Sequence, residues 1–412
     1  MGSVLTIMRP LMRTDKGETM RDSDVVIVGA TRTPIGDFGG TLKDVPPLDL
    51  AQHVIKEVVA RAKVQPGQIN KVIFGCCFGP IEQNLARNAA FRAGIPKEAP
   101  GFTINSTCGS SLQAIISASQ SISCGESDVV LAGGVESMSN APYIMPTARW
   151  GQRLRHLEAY DLVWRGMQEP PIGVGMGLTA ENLAEKYKIS RHEQDAFALL
   201  SHQRAAKAIS DGRFADEIAA ITLPSRKGKP TVFNTDEHVR PNTSLEDLAK
   251  LPPIFKKDGT VTAGNACGMN DAASAVILAD LDRAKELGLE PLARIKAYYV
   301  AGVDPDFMGI GPVPAIQGAL RKAKFNLSDI QRFEINEAFA AQYLACEKEL
   351  GLDREEVNVY GNGIALGHPV GATGCRLVVT LLYGMRANGL SLGIASLCAG
   401  GGMGFAVVIE SL

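Results

Sequence analysis

Residues 101–134 read GFTINSTCGSSLQAIISASQSISCGESDVVLAGG, and this stretch decides the fold. "GFTIN" leads through Cys108 into a run in which Leu112, Ile115, Ile116 and Ile122, with the small Ser119, follow helical spacing. The spacing predicts a helix that begins near Cys108 and buries that face. "DVVLAGG" then reads as a buried strand. A similar order recurs near the other end, where "VNVYGNG" leads through "GHPVGATG" into a helical stretch and then into "GIASLCAGGG". Two related halves of this kind pack as a pair. Their helix mouths, one carrying Cys108 and the other following His368, would face each other across a pseudo-twofold axis.

The rest of the chain fits that frame. Val- and Ile-rich runs ("DVVIVG", "KVIFG", "GFAVVIE") alternate with helical patterns such as "LDLAQHVIKEVVARAKV" and "GCRLVVTLLYGMRANG". This is α/β architecture with buried strands. Residues 139–269 differ: charge-rich helical stretches alternate with Pro- and Gly-rich loops, without a comparable strand run. They read as an insertion over one face of the core.

Composition narrows the functional classes. The 412 residues carry 42 Lys and Arg against 44 Asp and Glu, a formal charge of −2, so no basic field exists to hold nucleic acid or an anionic membrane. The eight cysteines form no C-x-x-C pair and no zinc-type spacing, which argues against a disulfide framework or structural metal and for a reducing compartment. No apolar run approaches the ~20 residues of a membrane helix. At the N-terminus, Arg9, Arg13 and Lys16 are offset by Asp15, Glu18 and the helix-breaking Pro10. Residues 1–22 therefore read as a disordered extension, and the expected location is the cytoplasm, with the mitochondrial matrix as the alternative if they form a presequence. "MGSVLT" fits only the loose myristoylation pattern, and the C-terminal "ESL" is not "SKL".

Four stretches carry candidate chemistry. A cysteine at a helix mouth meets unpaired N–H groups and the positive end of the dipole, conditions that lower a thiol pKa from ~8.5 into the range ~3.5–7.5. Cys108 is thus a candidate nucleophile, and on this stretch alone a small buried hydrophobe remains an equal reading. In "GHPVGATG", His368 could deprotonate a thiol or donate to an oxyanion; a satisfied structural imidazole is the alternative. In "NEAFA", Asn336 could cap a helix or hold a catalytic water. "CAGGGMG" joins a second thiol, Cys398, to a glycine turn whose N–H groups could form an oxyanion hole or simply a bulge.

Taken in order, "NSTCGSS", "AGGVESMS", "MGLTAENLAEKYKISRHEQD", "VTAGNACGMND", "MGIGPVPA", "EINEAFAAQ", "GHPVGATG" and "LCAGGGMG" resemble the thiolase family from about Val25 to Leu412. The resemblance implies two βαβαβαββ halves in a five-layered α-β-α-β-α core. Residues 23–138 plus 270–289 would form the first half, 139–269 a loop domain for coenzyme A (CoA) binding and oligomerisation, and 290–412 the second half. It also implies a homodimer or homotetramer, with no cofactor beyond the CoA thioester that serves as substrate.

The implied activity is reversible condensation of two acetyl-CoA to acetoacetyl-CoA and CoA, by a ping-pong mechanism. Cys108 would be acylated while His368 takes its proton, and Cys398 would move the α-proton. Nε2 of His368 and a water on Asn336 would hold the enolate, and the N–H groups of Cys108 and Gly400 the tetrahedral intermediate. For CoA, the matching positions are Arg240 at the adenine and phosphate end, Phe255 and Ala263 along the pantetheine, and Ala338 at the floor. Met176, Met308 and Phe339 match bulky positions around the acyl group and favour acetoacetyl-CoA. Three positions depart from the family pattern: Cys267 replaces a Ser that reaches the pantetheine, Asp247 stands where short-chain members can carry Ser, and Gly175 where they often carry His.

A broader-range degradative 3-oxoacyl-CoA thiolase is the near alternative. The second thiol suits neither a decarboxylating synthase, which uses a second His, nor a hydroxymethylglutaryl-CoA synthase, which uses a Glu. A lipid-binding or scaffolding member would have no chemical need for Cys108, His368 and Cys398 together. A dinucleotide-binding dehydrogenase is excluded by the glycine spacing of "GNGIALG" and its distance from the first strand.

Overall fold

The chain's computed structural model describes residues 24–79, 82–224 and 229–412, so the extension assigned to residues 1–22 lies outside the described residues. The first half contributes strands β1 (Val25–Arg32), β2 (Lys71–Gly75), β3 (Gly101–Ile104), β4 (Val129–Ser137) and β5 (Asn270–Asp280). Its helices are α1 (Pro47–Arg61), α2 (Leu85–Arg92) and α3 (Ser110–Ser123). Strands β1, β2, β4 and β5 are buried along their whole length, which is why β1, β2 and β4 read as apolar runs.

The insertion holds α4 (Met176–Tyr187) and α5 (Arg191–Ser210). It also contains two small hairpins, Tyr143–Ile144 with Tyr160–Asp161 and Ile221–Leu223 with Thr231–Phe233, too short to show as strand runs. The second half follows with β6 (Ala293–Gly302), α6 (Pro312–Ala323), β7 (Arg332–Ile335), α7 (Ala340–Leu350), α8 (Val370–Ala387), β8 (Leu392–Ala399) and β9 (Met403–Ser411).

The strand order exposes the duplication. In the first half it is β3-β2-β4-β5-β1, and in the second β7-β8-β9-β6, with Val357 bridging in parallel to Phe333 beyond β7. Both halves therefore place their first strand at the inner edge and close it antiparallel to their last. The edges meet through two residue pairs only, Val26 with Arg294 and Ile27 with Ala293. This short seam lets the two sheets face each other.

Helices α3 and α8 fill the space between them, packed on one another and on both sheets. α8 is buried on nearly every side, as a helix in a central layer must be. α1 and α2 cover the outer face of the first sheet, α6 and α7 that of the second. Five layers result.

The insertion is anchored to both halves. Phe197 of α5 stacks on Tyr343 of α7 with centroids 4.2 Å apart. On the other side Arg32 of β1, fully buried, binds Glu217 at 2.6 Å and takes Asp236 in a two-pronged pair at 2.7 and 2.9 Å. Removing one partner of such a buried pair costs ~3–5 kcal/mol, because the other charge is stranded.

Candidate active site

The helix mouths meet. An apolar-walled cavity of about 420 Å³ lies between the ends of the central helices and the insertion, and Cys108, His368, Cys398, Gly400, Cys267, Met176, Met308, Ala338 and Phe339 all line it. Asn336 is fully buried behind His368. Arg240, Ala263 and Asp247 line a second, smaller recess of about 120 Å³ that also includes Ala266, next to Cys267 in the chain. Phe255 lines neither recess. Its ring meets that of Phe339 edge-on at 6.1 Å and occupies the space a side chain at Gly177 would need. Gly175 caps α4 rather than facing the cavity.

Cys108 does not start its helix. Gly109 is the cap and α3 begins at Ser110, after a tight turn in which Thr107 takes a φ of +50°. The Thr107 hydroxyl offsets that strain, lying 2.8 Å from the Ser106 carbonyl and 3.0 Å from that of Gly400. The turn thereby ties the two glycine- and cysteine-bearing loops together. The N–H groups of Gly400 and Cys108 both point at the Cys108 sulfur.

The expectation of a depressed thiol pKa is overturned. Desolvation in the apolar-walled cavity pushes Cys108 up to about 11, against the pull of those two N–H groups. The resting group is a thiol that must lose its proton during reaction. Burial also pushes Cys267 up to about 12, and Cys398, surrounded in addition by other thiols, well above the ordinary range.

His368 is set up to take a proton. Burial, with the Arg376 guanidinium, pushes the imidazole down to about 3, so the ring is neutral at physiological pH. Its Nδ1 lies 2.7 Å from Thr373 Oγ1, whose own hydrogen goes to the Pro369 carbonyl at 3.0 Å. Thr373 must therefore accept, which places the ring proton on Nδ1. Nε2 is left with the lone pair, which accepts from Asn336 Nδ2 at 3.3 Å. Among the described residues Asn336 Oδ1 accepts no hydrogen bond, which makes it an available acceptor.

Three supporting residues were not assigned from the sequence. Asn270, the first residue of β5, accepts the His368 N–H at 2.9 Å. Gly367, at φ +103°, allows that approach: a Cβ there would lie 2.5 Å from the Asn270 side chain. Glu136 of β4 accepts N–H groups from Cys77 (2.9 Å), Phe78 (3.2 Å) and Gly371 (2.9 Å), so one carboxylate fastens the cavity wall after β2 to the start of α8. Burial raises its pKa to about 7 against those donors.

A thiol beside two converging N–H groups, a neutral imidazole with an unprotonated Nε2, and a second buried thiol define a site for covalent acyl transfer through sulfur. The comparisons agree. The thiolase N-terminal domain matches residues 25–282 and the thiolase C-terminal domain residues 289–411. An acetyl-CoA acetyltransferase of Syntrophomonas wolfei is 50% identical over 395 residues, covering 94% of this chain and 99% of that protein. The crystal structure of the Bacillus anthracis acetyl-CoA acetyltransferase superposes with a TM-score of 0.93 at 53% identity, over 95% of this chain and 99% of that one. Human mitochondrial 3-ketoacyl-CoA thiolase gives a TM-score of 0.91 at 47% identity, over 94% and 99%. The chain belongs to the thiolase family.

The high thiol pKa has a direct consequence. Below its pKa a thiol gains about tenfold in thiolate per pH unit. Alkylation of Cys108 by iodoacetamide, followed by peptide mass spectrometry, is expected to accelerate steadily from pH 7 to pH 9. A rate already level at pH 7 would show that Cys108 and His368 rest as an ion pair.

Proposed function

We propose that this protein is an acetyl-CoA C-acetyltransferase, which condenses two acetyl-CoA into acetoacetyl-CoA and CoA and runs the reverse thiolysis. The observation that carries the reading is the convergence of Cys108, His368 and Cys398 on one cavity beside the N–H groups of Cys108 and Gly400.

On this reading the neutral His368 takes the Cys108 proton at Nε2 as sulfur attacks the thioester carbonyl. The N–H groups of Cys108 and Gly400 receive the developing oxyanion. CoA departs as its thiolate and takes up the Cys398 proton, so that Cys398 is left a thiolate while His368 keeps the proton of Cys108 on Nε2. A second acetyl-CoA enters, and Cys398 takes its α-proton. The enolate oxygen is held by His368 Nε2–H and by a water on Asn336, and its carbon attacks the acyl-cysteine. Removing one oxyanion donor of this kind costs ~10²–10³ in rate. Arg240 and Ala263, in the recess beside the cavity, support the placement of CoA along the insertion.

Steady-state thiolysis of acetoacetyl-CoA at several fixed CoA concentrations tests this. Parallel double-reciprocal lines, with label from radioactive CoA exchanging into acetyl-CoA without acetoacetyl-CoA present, are expected. Intersecting lines without exchange would exclude the acyl-enzyme.

A further inference from the structure

Eight non-glycine residues among those described hold a positive φ, and Thr107 alone of them is β-branched. A β-branched side chain crowds its own backbone in that region, and strain of this kind persists only where the surroundings fix it, most often at functional sites. Thr107 lies in the cavity wall, immediately before Cys108.

Its backbone aims one of the two N–H groups that meet the Cys108 sulfur. The Thr107 carbonyl and the Cys108 N–H share a peptide plane, and that carbonyl accepts the Ser110 hydroxyl at 2.6 Å and the Ser110 N–H at 3.1 Å. Its side chain reaches the loop that carries the other. Between the paired residues Ala399 of β8 and Met403 of β9, this loop consists of Gly400, Gly401 and Gly402, the latter two at φ of +87° and +81°. Consecutive glycines turn freely unless they are held. The Val303 N–H holds the far end, donating to the Gly402 carbonyl at 2.7 Å. The Thr107 hydroxyl holds the near end, donating to the Gly400 carbonyl at 3.0 Å. That hydroxyl also lies 2.8 Å from the Ser106 carbonyl, which already accepts the Gly109 N–H at 3.0 Å. With one hydrogen to give, it adds more at Gly400.

We propose that Thr107 is a positioning residue that sets the separation of the two oxyanion donors, its backbone aiming the Cys108 N–H and its hydroxyl holding the Gly400 loop. The proposal rests on the thiolase reading and adds a residue to it. The donors stabilise the oxyanion formed when the Cys108 sulfur adds to a thioester carbonyl, and again when the enolate carbon adds to the acetyl-cysteine. They take no part in removing the α-proton, because the enolate is held by His368 and the water on Asn336. Displacing the Gly400 loop therefore slows both additions and spares the exchange of α-protons.

The test compares wild type with Thr107→Val, Thr107→Ser and Thr107→Gly in two measurements. One is the first-order rate constant for acetylation of Cys108 at saturating acetyl-CoA, followed by peptide mass spectrometry. The other is exchange of the α-protons of acetyl-CoA with solvent deuterium once Cys108 has been acetylated to completion. Valine keeps the branched shape without the hydroxyl, serine keeps the hydroxyl, and glycine relieves the positive φ without restoring the tie. Acetylation is expected to fall ~10–100-fold in Thr107→Val and Thr107→Gly and to stay within about threefold of wild type in Thr107→Ser, with exchange within about threefold in every variant. A first-order rate constant is independent of how much enzyme folds, and Thr107→Gly decides the matter if Thr107→Val does not fold. Unslowed acetylation in the variants without a hydroxyl, an equal fall in Thr107→Ser, or exchange that falls in step with acetylation would overturn the positioning role and leave the thiolase reading standing. Absence of acetylation in wild type would remove both.

Discussion

A Cys108→Ala variant is expected to lose thiolysis and condensation by at least ~10³-fold, about 4 kcal/mol of barrier, while keeping its fold. The size follows from the covalent role. The N–H groups of Cys108 and Gly400 survive the substitution, but they stabilise an oxyanion that no longer forms without the sulfur. The side chain removed is small and borders the cavity, where water can take the place of sulfur at the two N–H groups. In wild type, incubation with acetyl-CoA should leave an acetyl group on the peptide carrying Cys108. Label on Cys267 or Cys398, or retained activity in Cys108→Ala, would show that another thiol is the nucleophile. Cys77 and Cys267 line the same cavity and serve as internal controls.

The position of Cys108 was legible because a helix mouth is a local feature, written within a dozen residues. Its protonation was not. The dipole argument predicts a depressed thiol, and it loses to desolvation, which depends on an insertion and a second half that close the cavity from far along the chain. Glu136 shows the same limit. It stands inside "AGGVESMS", yet the partners that explain it, Cys77 and Gly371, lie 59 and 235 residues away. The tautomer of His368 depends on whether Thr373 donates or accepts, which only the Pro369 carbonyl decides. The fold was readable for the opposite reason: fully buried strands must be apolar on both faces, so β1, β2 and β4 announce themselves without long-range information. β7, only four residues long, and β5, which closes the first half after the insertion, carry less local signal.

A Cys398→Ser variant is expected to separate the two half-reactions. Cys108 needs only a thioester carbonyl and a base to become acylated, and His368 supplies the base. Cys398 is indispensable only when a proton leaves or joins the α-carbon, because CoA can also depart as its thiolate. Its thiol is buried and held well above the ordinary range, so before reaction it carries the proton and can donate it to a leaving enolate. It accepts an α-proton only after giving its own to the departing CoA. Serine keeps a similar volume but is far harder to ionise, a poor match for either transfer. The variant should still acetylate Cys108 at a substantial rate while condensation and thiolysis fall by ~10²–10⁴-fold, the range of general acid–base catalysis. It should also fail to exchange the α-protons of bound acetyl-CoA with deuterium from solvent. His368→Ala should impair both stages, since that ring serves the nucleophile first and the enolate afterwards. If Cys398→Ser blocks acetylation as severely as Cys108→Ala, or leaves α-proton exchange intact, the division of labour between the two thiols is wrong and the α-proton must move through another group in the cavity.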